Sequence, residues 1–178
     1  MSNYAYVTLV TKDSYLEGAH YLHHSLKRAQ SKYPLIIMVT ENIEDLINQN
    51  SENYTYRVIP HYSFECNYGG LTNKECINKL YAFNFTEYDK LFYLDADCLV
   101  FENIDFIFNE GKQYEFLAGL GTWDEKENSD NWRVLGQCFL LTPEKNKFYK
   151  FLAEYDKQEI FSDEKAFASY FYPNYKNE

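Results

Sequence analysis

Two short stretches, AYVTLVT (Ala5–Thr11) and PLIIMVT (Pro34–Thr40), are apolar and β-branched and present almost no polar face. A strand that is apolar on both sides needs cover on both faces of its sheet, which is the condition of parallel α/β architecture. The residues between them carry a helix signal. Leu16, Ala19, His23 and Leu26 recur at helical spacing, and Ser14 with Glu17 three residues on fits a capping box, so the pattern predicts a helix from Ser14 to about Arg28. Asn42 can cap a short helix through IEDLINQ, and YTYRVIP (Tyr54–Pro60) reads as a third strand. Strand, helix, strand, helix, strand predicts an α/β domain with a parallel sheet flanked by helices.

The rest of the chain extends this order. Tyr62 to Asn73 reads as a loop, Lys74 to Phe85 as a helix, and Lys90 to Leu94 as a fourth strand. NIDFIFN predicts a short helix or turn, and EFLAGLG (Glu115–Gly121) and QCFLLT (Gln137–Thr142) two further strands joined by the polar loop TWDEKENSDNWRVL. Pro143 suits the first position of a helix reaching about Lys157, and Ser162-Asp163 caps a last helix, EKAFASYF. There is no internal repeat, and 178 residues suit one domain.

Composition removes several classes of function. The formal net charge is −10 and the tightest basic pair is Lys27-Arg28, so the basic stripe of a nucleic-acid binder is missing. No apolar run approaches the roughly 20 residues of a membrane span, and MSNYAYVTLVTKD lacks the pattern of a signal peptide. Cys66, Cys76, Cys98 and Cys138 form no CxxC, and without a leader they read as reduced thiols of a cytoplasmic protein. The sequons at Asn53 and Asn84 carry no meaning without secretion.

The chemistry concentrates in KLFYLDADCLVFENIDFIF (Lys90–Phe108). A buried strand ends on Asp95-Ala96-Asp97, at the carboxyl edge of the sheet where ligands of α/β folds bind. In a continuing strand the two carboxylates would face opposite ways. A turn after Leu94 lets both approach one cation, and oxygen ligands beside a diphosphate suit Mn²⁺ or Mg²⁺. A protein of this negative charge needs such help to hold a phosphorylated ligand. A haloacid-dehalogenase phosphatase would also place DxD after a strand, but three strands precede this one and Leu99 stands at its Thr/Val position. His20 and His24 have a spacing that can bind zinc. Without HExxH, and with His20 or His23 needed on the inner face of the helix, they read as packing residues.

Four blocks carry a resemblance: AYVTLVTKDSYLEGAHYLHHSLK, PLIIMVTENI, INKLYAFNFTEYDKLFYLDADCLVFENIDFIF and IFSDEKAFASYFYP. In this order and spacing the chain resembles the glycogenin-like glycosyltransferases, family 8 of the retaining enzymes. The resemblance implies a GT-A nucleotide-diphospho-sugar transferase fold with a Rossmann-like, mostly parallel central sheet. It is expected as a single domain over residues 1–178 that lacks the usual family C-terminal segment. It implies a UDP-sugar-dependent hexosyltransferase (EC 2.4 class) that uses Mn²⁺ or Mg²⁺ and hands the sugar to the hydroxyl of a glycan, protein or small-molecule acceptor; a homodimer is compatible with it. The alternative is a nucleotide-sugar-binding domain without complete catalytic equipment.

By the same resemblance Leu9, Thr11 and Tyr15 frame the uracil and ribose, and Lys79, sixteen residues before Asp95, faces the donor. Asp95 reaches ribose and metal, Ala96 separates the pair, and Asp97 holds the metal beneath the diphosphate. Asp163 matches the active-site Asp near the donor sugar, and Glu164 stands where the family has Gln. The chain departs from the pattern in two places. All four histidines precede the DxD, so the family's late His ligand has no counterpart, and Leu135-Gly136-Gln137 replaces an Asn-Ser-Gly loop.

Overall fold

The computed structural model describes residues 2–49, 53–63, 75–122 and 132–155, together with Phe167, Tyr170 and Phe171. Six strands, β1 (Tyr4–Val10), β2 (Leu35–Thr40), β3 (Thr55–Ile59), β4 (Lys90–Leu94), β5 (Phe116–Thr122) and β6 (Trp132–Leu141), form one sheet in the order β3-β2-β1-β4-β6-β5. Pairing is parallel from β3 through β4, whereas β6 runs antiparallel to both β4 and β5. The parallel α/β half expected from the first three strands is therefore present, extended by an antiparallel edge.

Period-two alternation along β1 and β2 builds two cores. Tyr4, Tyr6 and Val10 with Leu35, Ile37 and Val39 face α1 (Leu16–Arg28), which buries Ala19, Leu22 and Leu26 against them. Ala5, Val7 and Leu9 with Ile36 and Met38 face the opposite way. There they meet the 3-10 helix Cys76–Asn84 and α3 (Lys147–Tyr155), which contribute Ile77, Leu80, Phe83, Phe148 and Phe151. Covering both faces is why these strands tolerate almost no polar residue.

A third helix, α2 (Phe106–Glu110), follows the N-I-D turn. Asp105 fastens that turn to the rest of the fold. Its carboxylate accepts from the Tyr6 hydroxyl at 2.8 Å, the Ser31 hydroxyl at 2.7 Å and the Lys32 N–H at 2.9 Å.

Several expectations at element ends are corrected. Ser14 and Glu17 form no capping box. A 3-10 turn, Asp13–Tyr15, leads into α1, the Tyr15 N–H bonds to the Lys12 carbonyl, and Glu17 accepts instead from the Tyr21 hydroxyl at 2.8 Å. Asn42 lies inside the 3-10 run Glu41–Gln49, which is kinked at Ile43, and so does not cap it. The helix expected over Lys74–Phe85 is a 3-10 helix. The one assigned to Pro143 begins only at Lys147, because Asn146 adopts φ 69° and breaks the path. The stretch around Val134 and Leu135 is strand rather than loop, since Gly119 and Gly121 of β5 leave room for the Leu135 side chain. A Cβ at Gly121 would come within 2.7 Å of it.

Candidate active site

After β1 the chain turns back through β2 and β3 on one side, and β4 then adds on the other. The carboxyl ends of β1 and β4 thus meet at the topological switch point, where adjacent connections leave in opposite directions and open a crevice. A cavity of about 210 Å³ lies there. It is lined by Leu9 and Thr11 at the end of β1, Tyr15 of the 3-10 turn that follows, Glu75 just before the 3-10 helix and Cys76 and Lys79 within it, and Tyr93, Asp95, Ala96 and Asp97 from β4 and its turn.

The DxD turn is held from several sides. The Cys98 N–H bonds to the Asp95 carbonyl at 3.0 Å, so the chain reverses directly after β4 and the strand's alternation ends. The Asp95 N–H bonds to the Gln137 carbonyl on β6 at 2.9 Å, and the Val100 N–H to the Ser25 hydroxyl on α1 at 3.0 Å. Helix α1 comes so close that a Cβ on Gly18 would lie 2.6 Å from the Ala96 carbonyl oxygen.

Lys79 is buried, with 7% of its surface exposed. Its ammonium donates to the Gly136 carbonyl at 3.0 Å and to Asp95 Oδ1 at 3.3 Å, and lies 5.3 Å from the centre of the Tyr93 ring. The Tyr93 hydroxyl donates to the same Asp95 oxygen at 2.7 Å. Asp95 is thus oriented by two donors, whereas Asp97 is exposed at the mouth. Two thiols register the resulting negative field. Burial, then Asp95 and Asp97, pushes Cys98 up to about 11, and burial followed by Asp95 raises Cys138. A thiol so shifted stays protonated at neutral pH and is a poor nucleophile.

Of the residues singled out by sequence, Leu9, Thr11, Tyr15, Lys79, Asp95, Ala96 and Asp97 all line this one cavity. Asp163 and Glu164 lie outside the described residues. Sequence reasoning passed over Tyr93, Glu75 and Cys76. Tyr93 precedes Asp95 by two residues and Glu75 precedes Lys79 by four, but only the packing of the 3-10 helix against the sheet brings them, with Cys76, into one cavity. His20 and His24 form no zinc site: their Nε2 atoms meet the hydroxyls of Tyr56 at 2.7 Å and Tyr54 at 3.3 Å, and His20 stacks on Tyr54.

Two carboxylates at a strand end give a hard-oxygen donor set suited in kind to Mn²⁺ or Mg²⁺. Among the described residues no group of three His, Cys, Asp or Glu side chains comes together as a cation site. A cation held by Asp95 and Asp97 would need further ligands beyond this pair.

Residues 6–171 match the model of a family described as "Mannosyltransferase putative". Galactinol synthase 2 of Arabidopsis thaliana is 33% identical over 153 residues, covering 75% of this chain and 42% of that protein. Human glycogenin-1 is 31% identical over 116 residues, covering 61% of this chain and 33% of that protein. The chain thus spans less than half the length of either relative. A crystal structure of an active-site mutant of LgtC superposes with a TM-score of 0.69 at 14% identity, covering 94% of this chain and 70% of that one. At that identity the likeness is one of fold.

Proposed function

The chain has the GT-A fold and belongs to the mannosyltransferase family that its residues 6–171 match, among the glycogenin-like glycosyltransferases of family 8, and from that membership we propose that it moves a hexose from a UDP-sugar to a hydroxyl acceptor with retention of anomeric configuration. The observation that carries this reading is the convergence of Leu9, Thr11, Tyr15, Lys79, Asp95, Ala96 and Asp97 on one cavity at the switch point. A nucleoside diphosphate has an aromatic end and an anionic end. The cavity offers Leu9 and the half-exposed Tyr15 ring for the first, and Lys79 with the DxD turn for the second.

Each residue then has a role in positioning. Lys79 supplies fixed positive charge and, with Tyr93, sets the direction of the Asp95 carboxylate. Asp95 and Asp97 would hold Mn²⁺ or Mg²⁺. Such an ion, when bound, neutralises charge building on the leaving diphosphate. Thr11, just past β1, offers a hydroxyl near the ribose. Asp163 would lie beside the donor sugar, aligning it with the acceptor and favouring the positive anomeric carbon, with Glu164 next to it. The leaving phosphate can take the acceptor's proton, so no protein nucleophile is required. Free thiols at Cys98 and Cys138 support a reducing, cytoplasmic setting. Among the described residues no helix is long and apolar enough to cross a membrane.

The test is titration of UDP by calorimetry with Mn²⁺ and with EDTA, beside UDP release from a panel of UDP-hexoses. Asp97→Asn is expected to weaken metal-dependent UDP binding at least about tenfold, roughly 1.4 kcal/mol. Equal affinity in Mn²⁺ and EDTA would overturn the role of the DxD turn. Tight metal-dependent binding without UDP release from any donor would reduce the function to nucleotide-sugar binding.

A further inference from the structure

We propose that Glu75 selects the base of the bound nucleotide, its carboxylate accepting a hydrogen bond from the ring N–H of uracil. The inference rests on the nucleotide-site reading above and adds to it a residue that sequence reasoning did not single out.

Glu75 lines the same cavity as Leu9, Thr11 and Tyr15. Its side chain is 18% exposed, so this carboxylate belongs to the wall. Cationic or donor groups meet both of its oxygens. Oε1 lies 3.3 Å from His61 Nε2, and Oε2 lies 3.7 Å from Lys12 Nζ. Lys12 directly follows the pocket residue Thr11, so Glu75 is tied to the rim that carries Tyr15. The backbone beneath is also fixed. Asn78 is fully buried, and its side chain accepts from the Tyr62 N–H at 2.9 Å and donates to the Tyr62 carbonyl at 2.7 Å and the Glu75 carbonyl at 2.8 Å. One amide thus locks the segment bearing His61 to the turn bearing Glu75.

A carboxylate in a pocket for an anion is unfavourable wherever it faces the diphosphate, and favourable only where it faces a donor. Glu75 precedes Lys79 by four residues, about 8 Å along a 3-10 helix at roughly 2.0 Å per residue. It therefore stands away from the diphosphate end marked by Lys79 and Asp95. Each carboxylate oxygen has two lone-pair sites, so a carboxylate engaged on both oxygens can still accept from a ligand. Uracil presents one ring N–H between two carbonyls. A carboxylate meets that N–H, and the flanking Lys12 ammonium, with three donors, suits a carbonyl. Cytosine puts a lone pair at the same ring nitrogen and would face the carboxylate with repulsion.

The test compares UDP and CDP binding by calorimetry in Mn²⁺, for the wild-type chain, Glu75→Gln and Asp97→Asn, with melting temperatures for each. The wild type is expected to favour UDP over CDP at least about tenfold. Glu75→Gln should bring the two within about threefold, because a rotated amide can either accept from uracil or donate to cytosine. Asp97→Asn should weaken both and leave their ratio unchanged, because it acts on the diphosphate. An unchanged UDP-to-CDP ratio in Glu75→Gln, with binding and folding intact, overturns the assignment of Glu75 alone. A wild-type protein that melts cooperatively and binds neither nucleotide overturns the nucleotide-site reading beneath it.

Discussion

Lys79 shows how one buried cation can serve both structure and ligand. Its ammonium sits between Asp95 and the Gly136 carbonyl with little solvent to replace them, so it is no surface lysine. Removing its charge leaves an acceptor without its donor and a carboxylate less compensated, a cost of about 1–3 kcal/mol. In a chain of this size that lowers the melting temperature by roughly 2–4 °C per kcal/mol. Lys79→Met keeps the apolar stem and deletes the charge. It is expected to melt a few degrees lower and, because the anionic end of the ligand loses its fixed cation, to bind UDP at least about tenfold more weakly. Calorimetry beside a thermal melt separates the two effects. A variant that melts lower yet binds UDP like the wild type would confine Lys79 to structure. The family resemblance had marked Lys79, but its partners were out of reach, since Gly136 comes from a strand 57 residues away.

At the scale of elements, the DxD turn is a fixture of its neighbours. Helix α1 passes directly over it, and the approach depends on Gly18 having no side chain: a Cβ there would sit 2.6 Å from the Ala96 oxygen. Two effects oppose each other in Gly18→Ala. Helix propensity favours alanine by up to about 1 kcal/mol. The clash is with backbone, which cannot rotate away, and forced overpacking costs about 1–3 kcal/mol. The clash should win, so Gly18→Ala is expected to melt lower than wild type and to weaken UDP binding as the turn is pushed aside. A variant that melts higher would show that the helix yields freely at this point. The same elements show what was legible in the sequence. The strands β1, β2 and β4 were readable because both faces are buried and the apolar runs are unbroken. The extension of β6 to Trp132 was hidden because its pairing depends on two glycines in β5. The start of α1 was misread because its leading 3-10 turn satisfies its own backbone, leaving Ser14 nothing to cap. The cavity's place followed from strand order, whereas Glu75 could be seen only once the 3-10 helix was laid against β1.

At the scale of the whole molecule, the layers are fastened at the end of the sheet away from the cavity, and Asp105 is the fastener. It joins β1 through Tyr6, the segment after α1 through Ser31 and Lys32, and its own turn through Asn103. Burial alone would raise its carboxyl above the ordinary value of 3.8, but hydrogen bonds from Lys32, Ser31, Tyr6 and Asn103 together outweigh it and hold the group lower. The sign follows from linkage. A group whose folded-state value is depressed stabilises the fold above its unfolded value, and that contribution fades as pH falls through the folded one. Asp105→Asn keeps the shape and loses the charge that strengthens these bonds. At neutral pH it is expected to cost about 2 kcal/mol, in the range for hydrogen bonds to a buried charged group. As the pH is lowered through and below about 4 the wild type should lose this advantage while the variant does not, so their melting temperatures converge. Thermal melts of both proteins across this range decide it. A gap that stays constant with pH would mean that the stabilisation comes from shape rather than from the ionised carboxylate.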